Sequence, residues 1–292
     1  MVFVLSLMAQ NVMADNHSTR PIALLDCGPA AGVFGAGPSG TAAFFGIPYA
    51  RPPVGSRRWQ PPAPLDSSSC WAGTYDASAP GAACLQHGRF TGDASSEDCL
   101  RVHVWAPSPP AGELRPVLVW LHGGDLIEGS GVSIQSGYGA EANLTTTAGA
   151  VVVAVEYRLG LAGFLALDEL ADRDERGGGI VGNYGLLDVI AALKWVQRNA
   201  AAFGGDRRRV TVCGQSSGGS LVFALLASPR AAGLIHRAYS LSGSPRLNST
   251  TAEARSYWHL EALRRTRCAT APQVGSCLLS LNASELLTAM PP

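Results

Sequence analysis

A glycine-flanked serine is the residue whose type and spacing best suit chemistry. Ser216 lies in Gly214-Gln215-Ser216-Ser217-Gly218, which fits the pattern G-x-S-x-G. In enzymes with this pattern the serine hydroxyl attacks an acyl carbonyl, and the glycines permit a sharp turn that lifts the hydroxyl out of a sheet. The pattern also arises by chance, and the alternative interpretation is a serine that caps an ordinary helix.

The segments around Ser216 favour the catalytic interpretation. Val210–Cys213 is an apolar run typical of a buried strand, and a helical apolar run follows from Gly218 to about Ala227. A nucleophile elbow requires this order of strand, turn and helix. The sequence therefore predicts Ser216 as the nucleophile at such an elbow.

A second glycine turn could stabilise negative charge on a reacting oxygen. His122-Gly123-Gly124-Asp125 follows the strand-like run Val117–Leu121 and resembles loops whose backbone N–H groups bind an oxyanion. The alternative is a plain glycine turn. The predicted oxyanion hole consists of the N–H groups of Gly123, Gly124, Asp125 and Ser217.

The elements that must position these turns alternate along the chain. Apolar runs bounded by glycine predict four central strands, and apolar residues at helical spacing predict a crossover helix that ends near Gly204-Gly205. The strands are Val117–Leu121, Val151–Val155, Val210–Cys213 and Ala238–Leu241, and the helix carries Leu186, Val189, Leu193 and Val196. This order predicts an α/β fold with a mostly parallel, twisted central sheet and helices on both faces.

Three other segments have simpler expectations. The Gly- and Pro-rich stretch from Gly28 to Pro64 is typical of loops and edge hairpins, and Ala252 to Leu263 predicts a surface helix. The charged clusters Asp172–Arg176 and Arg207–Arg209 are expected to be solvated loops.

Composition limits the classes of partner. The chain has 292 residues, of which 47% are hydrophobic and 15% charged, and its formal net charge is zero. A neutral chain lacks the basic surface that nucleic acid or an anionic membrane would require. No uninterrupted apolar stretch is long enough for a membrane span. Small neutral molecules are the favoured partners.

Several features predict a secreted glycoprotein. Met1–Ala9 is apolar and Val12-Met13-Ala14 offers small residues for cleavage, so residues 1–14 predict a signal peptide, with a misassigned start as the alternative. Asn-x-Ser/Thr sequons begin at Asn16, Asn143, Asn248 and Asn282. None of the seven cysteines forms a C-x-x-C pair, so disulfides are favoured over a metal site, and no metal is predicted.

Six ordered stretches carry a resemblance to a known family. They are Phe45-Gly46-Ile47-Pro48-Tyr49-Ala50, Ser96-Glu97-Asp98-Cys99-Leu100, Tyr157-Arg158-Leu159-Gly160, Gly182-Asn183-Tyr184-Gly185-Leu186-Leu187-Asp188, Gly214–Gly219 and Ser242-Gly243-Ser244. With them the chain resembles the type-B carboxylesterase and cholinesterase-like family. The resemblance implies an α/β-hydrolase domain over residues 22–292, a serine ester hydrolase that works through an acyl-enzyme, a small-molecule ester substrate and no cofactor.

The resemblance also implies disulfides. By it Cys84 pairs with Cys99 and Cys268 pairs with Cys277, which leaves Cys27 and Cys70 as a candidate third pair. Cys213, on the strand before the elbow, is expected to be a buried, inert thiol.

The sequence departs from the family in its remaining catalytic residues. The triad in this fold follows the order Ser, acid, His, but after Ser216 the acids are Glu253, Glu261 and Glu285 and the imidazoles are His236 and His259. None fits the expected order and placement. We therefore expect a C-terminally truncated, nearly inactive chain with an exposed sheet edge. The alternatives are a catalytically inactive cholinesterase-like binding or adhesion protein, and a non-functional fragment.

Smaller departures bear on the substrate. Asp125 stands where the family usually has glycine, and a carboxylate about 5 Å from an oxyanion would cost roughly 3 kcal/mol at an effective dielectric constant of 20, so its side chain must point away. Gln215 stands where the family commonly has a glutamate, directly before the nucleophilic serine. The segment between Cys84 and Cys99 has no tryptophan, and Phe90 is its only aromatic residue. Choline esters are therefore not expected substrates.

Overall fold

A mixed seven-stranded sheet organises the computed structural model, which describes residues 20–35, 40–87, 95–108, 112–133, 142–173, 181–246 and 250–290. The predicted signal peptide, the sequons at Asn16 and Asn248, Phe90 and the end of the charged cluster at Arg176 lie outside these residues. None of the described helices is both long and apolar enough to cross a bilayer.

The described strands vary from two to eleven residues. They are β1 Ile22–Leu25, β2 Gly28–Ala31, β3 Val33–Phe34, β4 Thr41–Pro48, β5 Tyr75–Asp76, β6 Ala83–Cys84, β7 Ser95–Ser96, β8 Arg101–Pro107, β9 Arg115–Leu121, β10 Val151–Val155, β11 Gly205–Gln215 and β12 Arg237–Leu241.

The described helices are mostly short. They are α1 Ala142–Thr147, α2 Gly160–Phe164, α3 Tyr184–Asn199, α4 Ser217–Ala227, α5 Thr251–Ala254, α6 Leu260–Arg264, α7 Val274–Leu279 and α8 Ala283–Ala289, with 3-10 turns at Gly55–Arg57, Asp168–Arg173, Ala200–Phe203 and Pro229–Ala231. A π-helical turn, Arg255–His259, joins α5 to α6, so the helix predicted from Ala252 to Leu263 is present but is not regular α-helix throughout.

The order of the main sheet is β12-β11-β9-β10-β8-β4-β3. The strands β9 to β12 are parallel to their neighbours among themselves, whereas β8 runs antiparallel to both β10 and β4. Gly214 on β11 is in register with Leu121 on β9. Because both strands end at this edge, the turn that follows β9 and the turn that contains Ser216 lie side by side.

Helices cover both faces of the sheet, as predicted. Strand β10 shows the division, because Val151, Val153 and Val155 share a core with α3, while Val152 and Ala154 pack on the opposite side near Leu144 of α1. All five β10 residues are buried, which is typical of a central parallel strand. The predicted strands and crossover helix are confirmed, and the predicted α/β class with them.

The arginine cluster is where the sequence interpretation was wrong. Arg207–Arg209 lie within β11 instead of a loop, although their side chains are exposed as expected. The pairing register between β11 and β9 shifts between Gly205 and Val210, and Asp206 forms ion pairs with Arg208 and Arg209. A charged run can therefore continue a strand where that strand extends past the core.

Three disulfides connect the described chain: Cys27–Cys70, Cys84–Cys99 and Cys268–Cys277. These are the two pairs implied by the family resemblance and the candidate third pair. Cys213 is free but only partly buried, which corrects the expectation of a buried thiol. Its exposure follows from the alternation along β11, where Val210 and Val212 face the core and Cys213 faces the other side. Burial still raises the pKa of the Cys213 thiol.

Candidate active site

Ser216 occupies a strained turn between β11 and α4. Its backbone has φ 53° and ψ −123°, a conformation that non-glycine residues rarely adopt. The turn is held because Ser216 N–H donates to the Leu241 carbonyl at 2.8 Å and its own carbonyl accepts from Ser220 N–H at 3.0 Å. The Ser216 side chain makes no capping hydrogen bond to α4. The geometry is thus that of a strand–turn–helix elbow and differs from an ordinary helix cap.

The glycines around Ser216 are required by close packing. A Cβ added at Gly218 would lie 2.9 Å from the His122 carbonyl carbon and closer still to the carbonyl oxygens of Leu121 and His122. One added at Gly219 would lie 2.7 Å from Ser240 Oγ, and one at Gly214 would overlap the Gly218 carbonyl. The start of α4 therefore packs directly on the end of β9. A side chain at any of these positions would separate the two elements.

The glycine turn after β9 abuts the elbow. A Cβ built on Gly123 would lie 3.1 Å from Ser216 Cβ, so backbone and serine are in near contact. Gly124 and Asp125 continue with φ values of 112° and 54°. The N–H groups of Gly123, Gly124, Asp125 and Ser217 donate no hydrogen bond to another described residue. Four donors that bond to no described residue therefore lie on the two segments that meet at Ser216.

The conformation of Asp125 bears on how an anion could be held. The Gly124 carbonyl accepts from Ile127 N–H and Glu128 N–H, each at 3.0 Å, which closes the turn around Asp125. The Asp125 side chain is exposed. Water can therefore screen the Asp125 charge, which would reduce the repulsion between this carboxylate and an oxyanion bound nearby.

A buried aromatic pair supports the Gly123–Asp125 turn from beneath. The His122 ring stacks on Tyr157 with ring centroids 4.4 Å apart, and the Tyr157 hydroxyl donates to the His122 carbonyl at 2.7 Å. His122 Nδ1 lies 2.9 Å from the Gly123 carbonyl, to which its N–H can donate. Burial lowers the pKa of His122, which keeps the ring neutral at pH 7. His122 is thus a support for the turn's backbone.

Sequence reasoning missed the polar groups that lie further under this turn. Glu156 directly follows β10 and is 1% exposed. Carboxylates are almost never fully buried without a partner. A charged residue at the end of an uninterrupted apolar strand was the available signal for a buried polar network.

The imidazoles and acids after Ser216 are engaged elsewhere. His236 Nδ1 accepts from Val210 N–H at 3.3 Å. Val210 precedes Ser216 by six residues on an extended strand, which separates the two residues by about 20 Å. His259 Nδ1 lies 3.2 Å from Ala166 N.

The acids form local surface contacts: Glu253 accepts from Thr250, Glu261 pairs with Arg265, and Glu285 pairs with Arg267. The Ser216 hydroxyl makes no hydrogen bond to any described residue. These contacts supply no proton acceptor to Ser216.

Metal ligation finds no support in the described ranges. They contain no group of three or more His, Cys, Asp or Glu side chains arranged to hold a metal ion. At the carboxyl edge of the sheet they contain the Ser216 turn next to the Gly123–Asp125 turn, whose N–H groups donate to no described residue. That arrangement can carry out nucleophilic acyl transfer once a base is supplied.

Comparison with known proteins gives a family match for most of the chain. The sequence matches the model of the carboxylesterase family over residues 21–292. It is 45% identical to carboxylesterase 3 of Homo sapiens over 214 residues, which are 68% of this chain and 34% of that protein. It is 40% identical to the fumonisin B1 esterase of Sphingopyxis macrogoltabida over 232 residues, 78% of this chain and 40% of that protein.

A solved structure extends the similarity to three dimensions. The crystal structure of Geobacillus stearothermophilus carboxylesterase EST55 superposes with a TM-score of 0.80 at 36% identity, over 92% of this chain and 53% of that one. The chain thus spans about a third to a half of the length of the relatives it matches.

Proposed function

Because the chain belongs to the carboxylesterase family and has its α/β-hydrolase fold, we propose that it is the part of a serine carboxylic ester hydrolase that carries the nucleophile, Ser216. The observation that supports this most is the strained Ser216 backbone beside the Gly123–Asp125 turn. Strain of this kind persists where the surroundings enforce it, and it is concentrated at reacting groups.

In the proposed reaction, Ser216 Oγ attacks the carbonyl carbon of the ester and its proton passes to a base. The carbonyl oxygen becomes an oxyanion that accepts hydrogen bonds from Gly123, Gly124, Asp125 and Ser217 N–H groups. Collapse releases the alcohol, which takes up a proton, and leaves an acyl-serine. Water then attacks the acyl-serine, which yields the carboxylic acid and restores the hydroxyl.

The base and its orienting acid are proposed to lie in sequence outside these 292 residues. Two observations support this: the Ser216 hydroxyl is bonded to no described residue, and the matched relatives are two to three times as long as the matched segment. The 292 residues alone are accordingly proposed to be nearly inactive. Without a base, a serine hydroxyl is a weak nucleophile at neutral pH.

The proposed substrates are small, uncharged esters, and the proposed location is the secretory pathway or the extracellular space. Gln215 places a neutral amide next to Gly123, so the elbow offers no negative charge to a cationic alcohol group. Three disulfides favour an oxidising compartment. Asn143 and Asn282 are exposed, as glycosylation requires, and with Asn16 and Asn248 they are the proposed sites.

The test uses the complete protein that contains this chain. It should hydrolyse p-nitrophenyl butyrate and react covalently with a fluorophosphonate probe, and Ser216→Ala should lose both while keeping its melting temperature. Labelling that persists in a folded Ser216→Ala variant would exclude Ser216 as the nucleophile. A folded protein with no labelling at all would instead favour the inactive binding protein.

A further inference from the structure

The turn proposed to hold the oxyanion, Gly123–Asp125, rests on the segment Gly129–Gly131. A Cβ added at Gly129 would overlap both the His122 ring nitrogen Nδ1 and the Gly123 carbonyl oxygen, so the Gly129 backbone is in direct contact with both groups. Gly129 itself is buried, with φ 119°. A shift of the Gly129 backbone would therefore be transmitted to Gly123 and to its N–H.

Gln86 holds this glycine from both sides. Its Oε1 accepts from Gly129 N–H at 2.8 Å, and its Nε2 donates to the Gly129 carbonyl at 2.6 Å. Nε2 also donates to the Cys84 carbonyl at 3.0 Å, next to the Cys84–Cys99 disulfide. The Gln86 side chain is 1% exposed, so water does not compete for these bonds. These two bonds hold the peptide units on either side of the Gly129 Cα, which fixes the position and the orientation of the residue.

Glu156 holds the next two residues. Its Oε1 accepts from Ser130 Oγ at 2.6 Å and from Gly131 N–H at 2.8 Å. The same oxygen lies 3.3 Å from His103 Nε2. His103 Nδ1 accepts from Gly46 N–H at 3.1 Å, so Nε2 carries the hydrogen and donates to Glu156. Three donors from two segments of the chain thus converge on one buried oxygen.

The ionisation of Glu156 suits this role. Burial alone would raise the pKa of Glu156, but the hydrogen bonds that it accepts from His103 and Ser130 outweigh burial, so the net pKa lies below the usual value. An ionised carboxylate accepts stronger hydrogen bonds than a neutral acid. The segment is thereby anchored to β10, the central strand that Glu156 follows.

We propose that Glu156 and Gln86 are positioning residues of the oxyanion hole: they fix Gly129–Gly131, and through it the N–H groups of Gly123 and Gly124 that the transition state requires. Neither side chain forms a hydrogen bond with Ser216. The inference rests on the proposed esterase function, because the positioned donors are useful only if an oxyanion forms there.

The test is a kinetic comparison in the complete protein. Glu156→Met keeps the length of the side chain but removes the acceptor oxygen, whereas Glu156→Gln keeps one. We expect Glu156→Met to lower kcat by about ten- to a hundredfold with KM within about twofold, because a misplaced donor is lost in the transition state more than in the bound ester. Glu156→Gln should recover kcat to within about threefold of wild type.

A transition-state mimic separates positioning from general destabilisation. A trifluoromethyl ketone forms a serine adduct with an oxyanion, so its affinity should fall in Glu156→Met by the same factor as kcat/KM. The matched control is Asn199→Leu, which removes a buried polar side chain that bonds Asp26 N–H and the Trp195 carbonyl at the far end of α3. It should lower the melting temperature without changing kcat or ketone affinity.

The outcomes are distinguishable. A folded Glu156→Met with wild-type kcat and ketone affinity would overturn the positioning inference and leave the esterase intact. A wild-type protein that neither hydrolyses esters nor binds the ketone would overturn the esterase function and this inference with it. Should Glu156→Met not fold, Gln86→Met is expected to show the same loss of kcat and ketone affinity, and wild-type values for it would overturn the inference.

Discussion

Substituting Gly218 by alanine tests the packing that brings the Ser216 turn against the Gly123–Asp125 turn, the proposed oxyanion site. The added Cβ would lie 2.9 Å from the His122 carbonyl carbon, inside the 3.0 Å that real Cβ atoms essentially never breach, and nearer still to the Leu121 and His122 oxygens. Restoring ordinary contact requires the end of β9 to retreat by about half to one ångström. The carbonyls that must move immediately precede Gly123, so its N–H moves with them.

The expected magnitude follows from two opposing effects. Alanine improves helix propensity by about 1 kcal/mol, whereas overpacking a filled site costs about 1–3 kcal/mol, so the net loss of unfolding free energy should be at most about 2 kcal/mol. The gain in helix propensity does not offset the effect on catalysis, because a displacement of the catalytic N–H groups by about 1 Å lowers the rate about a hundredfold. We therefore expect kcat for Gly218→Ala to fall about a hundredfold in a protein that still folds.

The assay combines initial rates of p-nitrophenyl butyrate hydrolysis with thermal unfolding of the complete protein. Gly112→Ala is the matched control, because a Cβ there meets no atom within 4 Å and should change neither rate nor stability. A Gly218→Ala variant with wild-type kcat would refute the claim that this contact places the oxyanion donors.

Three further outcomes follow from the structure. In the core, Asp188 binds Arg158 at 2.7 Å, so Asp188→Asn leaves the guanidinium without its counter-charge. This variant should lose about 3–5 kcal/mol of unfolding free energy, measured by urea titration. The control Asp26→Asn breaks an exposed ion pair and should lose at most about 1 kcal/mol. Thermal stability should fall on acidification, first below about pH 6.5 and again below about pH 4.5. The pKa values of His122 and Glu156 are lower in the folded state than in the unfolded state, so the folded state binds fewer protons in these pH ranges. Melting temperatures that stay constant from pH 7 to pH 4 would contradict this. The 292 residues expressed alone should hydrolyse p-nitrophenyl butyrate at least about a thousandfold more slowly than the complete protein, and comparable rates would show that the base lies within them.

Local patterns predicted the elements well because each carries its own physical signal. The uniformly apolar run of β10 and the helical spacing of α3 match the burial observed, and the flanking glycines of Ser216 match the turn that needs them. The prediction of a loop at Arg207–Arg209 was wrong because charged residues indicate solvent exposure but not backbone conformation. An exposed strand extension therefore has the same sequence pattern as a loop. Likewise, the half-buried state of Cys213 depends on which face of β11 is covered.

The polar network under the Gly123–Asp125 turn was not predictable from sequence spacing. Gln86, His103, Ser130 and Glu156 come from four distant segments that only the fold brings together. In the sequence, each of these residues alone has the appearance of an ordinary polar residue. The single available signal was Glu156 at the end of an apolar strand, and it indicates a buried partner without saying which one.

The most direct test of the central claim is a crystal structure of the complete protein after reaction with a fluorophosphonate. The account predicts phosphorus bonded to Ser216 Oγ, with the phosphonyl oxygen accepting hydrogen bonds from the proposed donors, the N–H groups of Gly123, Gly124, Asp125 and Ser217. Phosphorus on another side chain, or on Ser216 with its oxygen directed away from the Gly123–Asp125 turn, would contradict it.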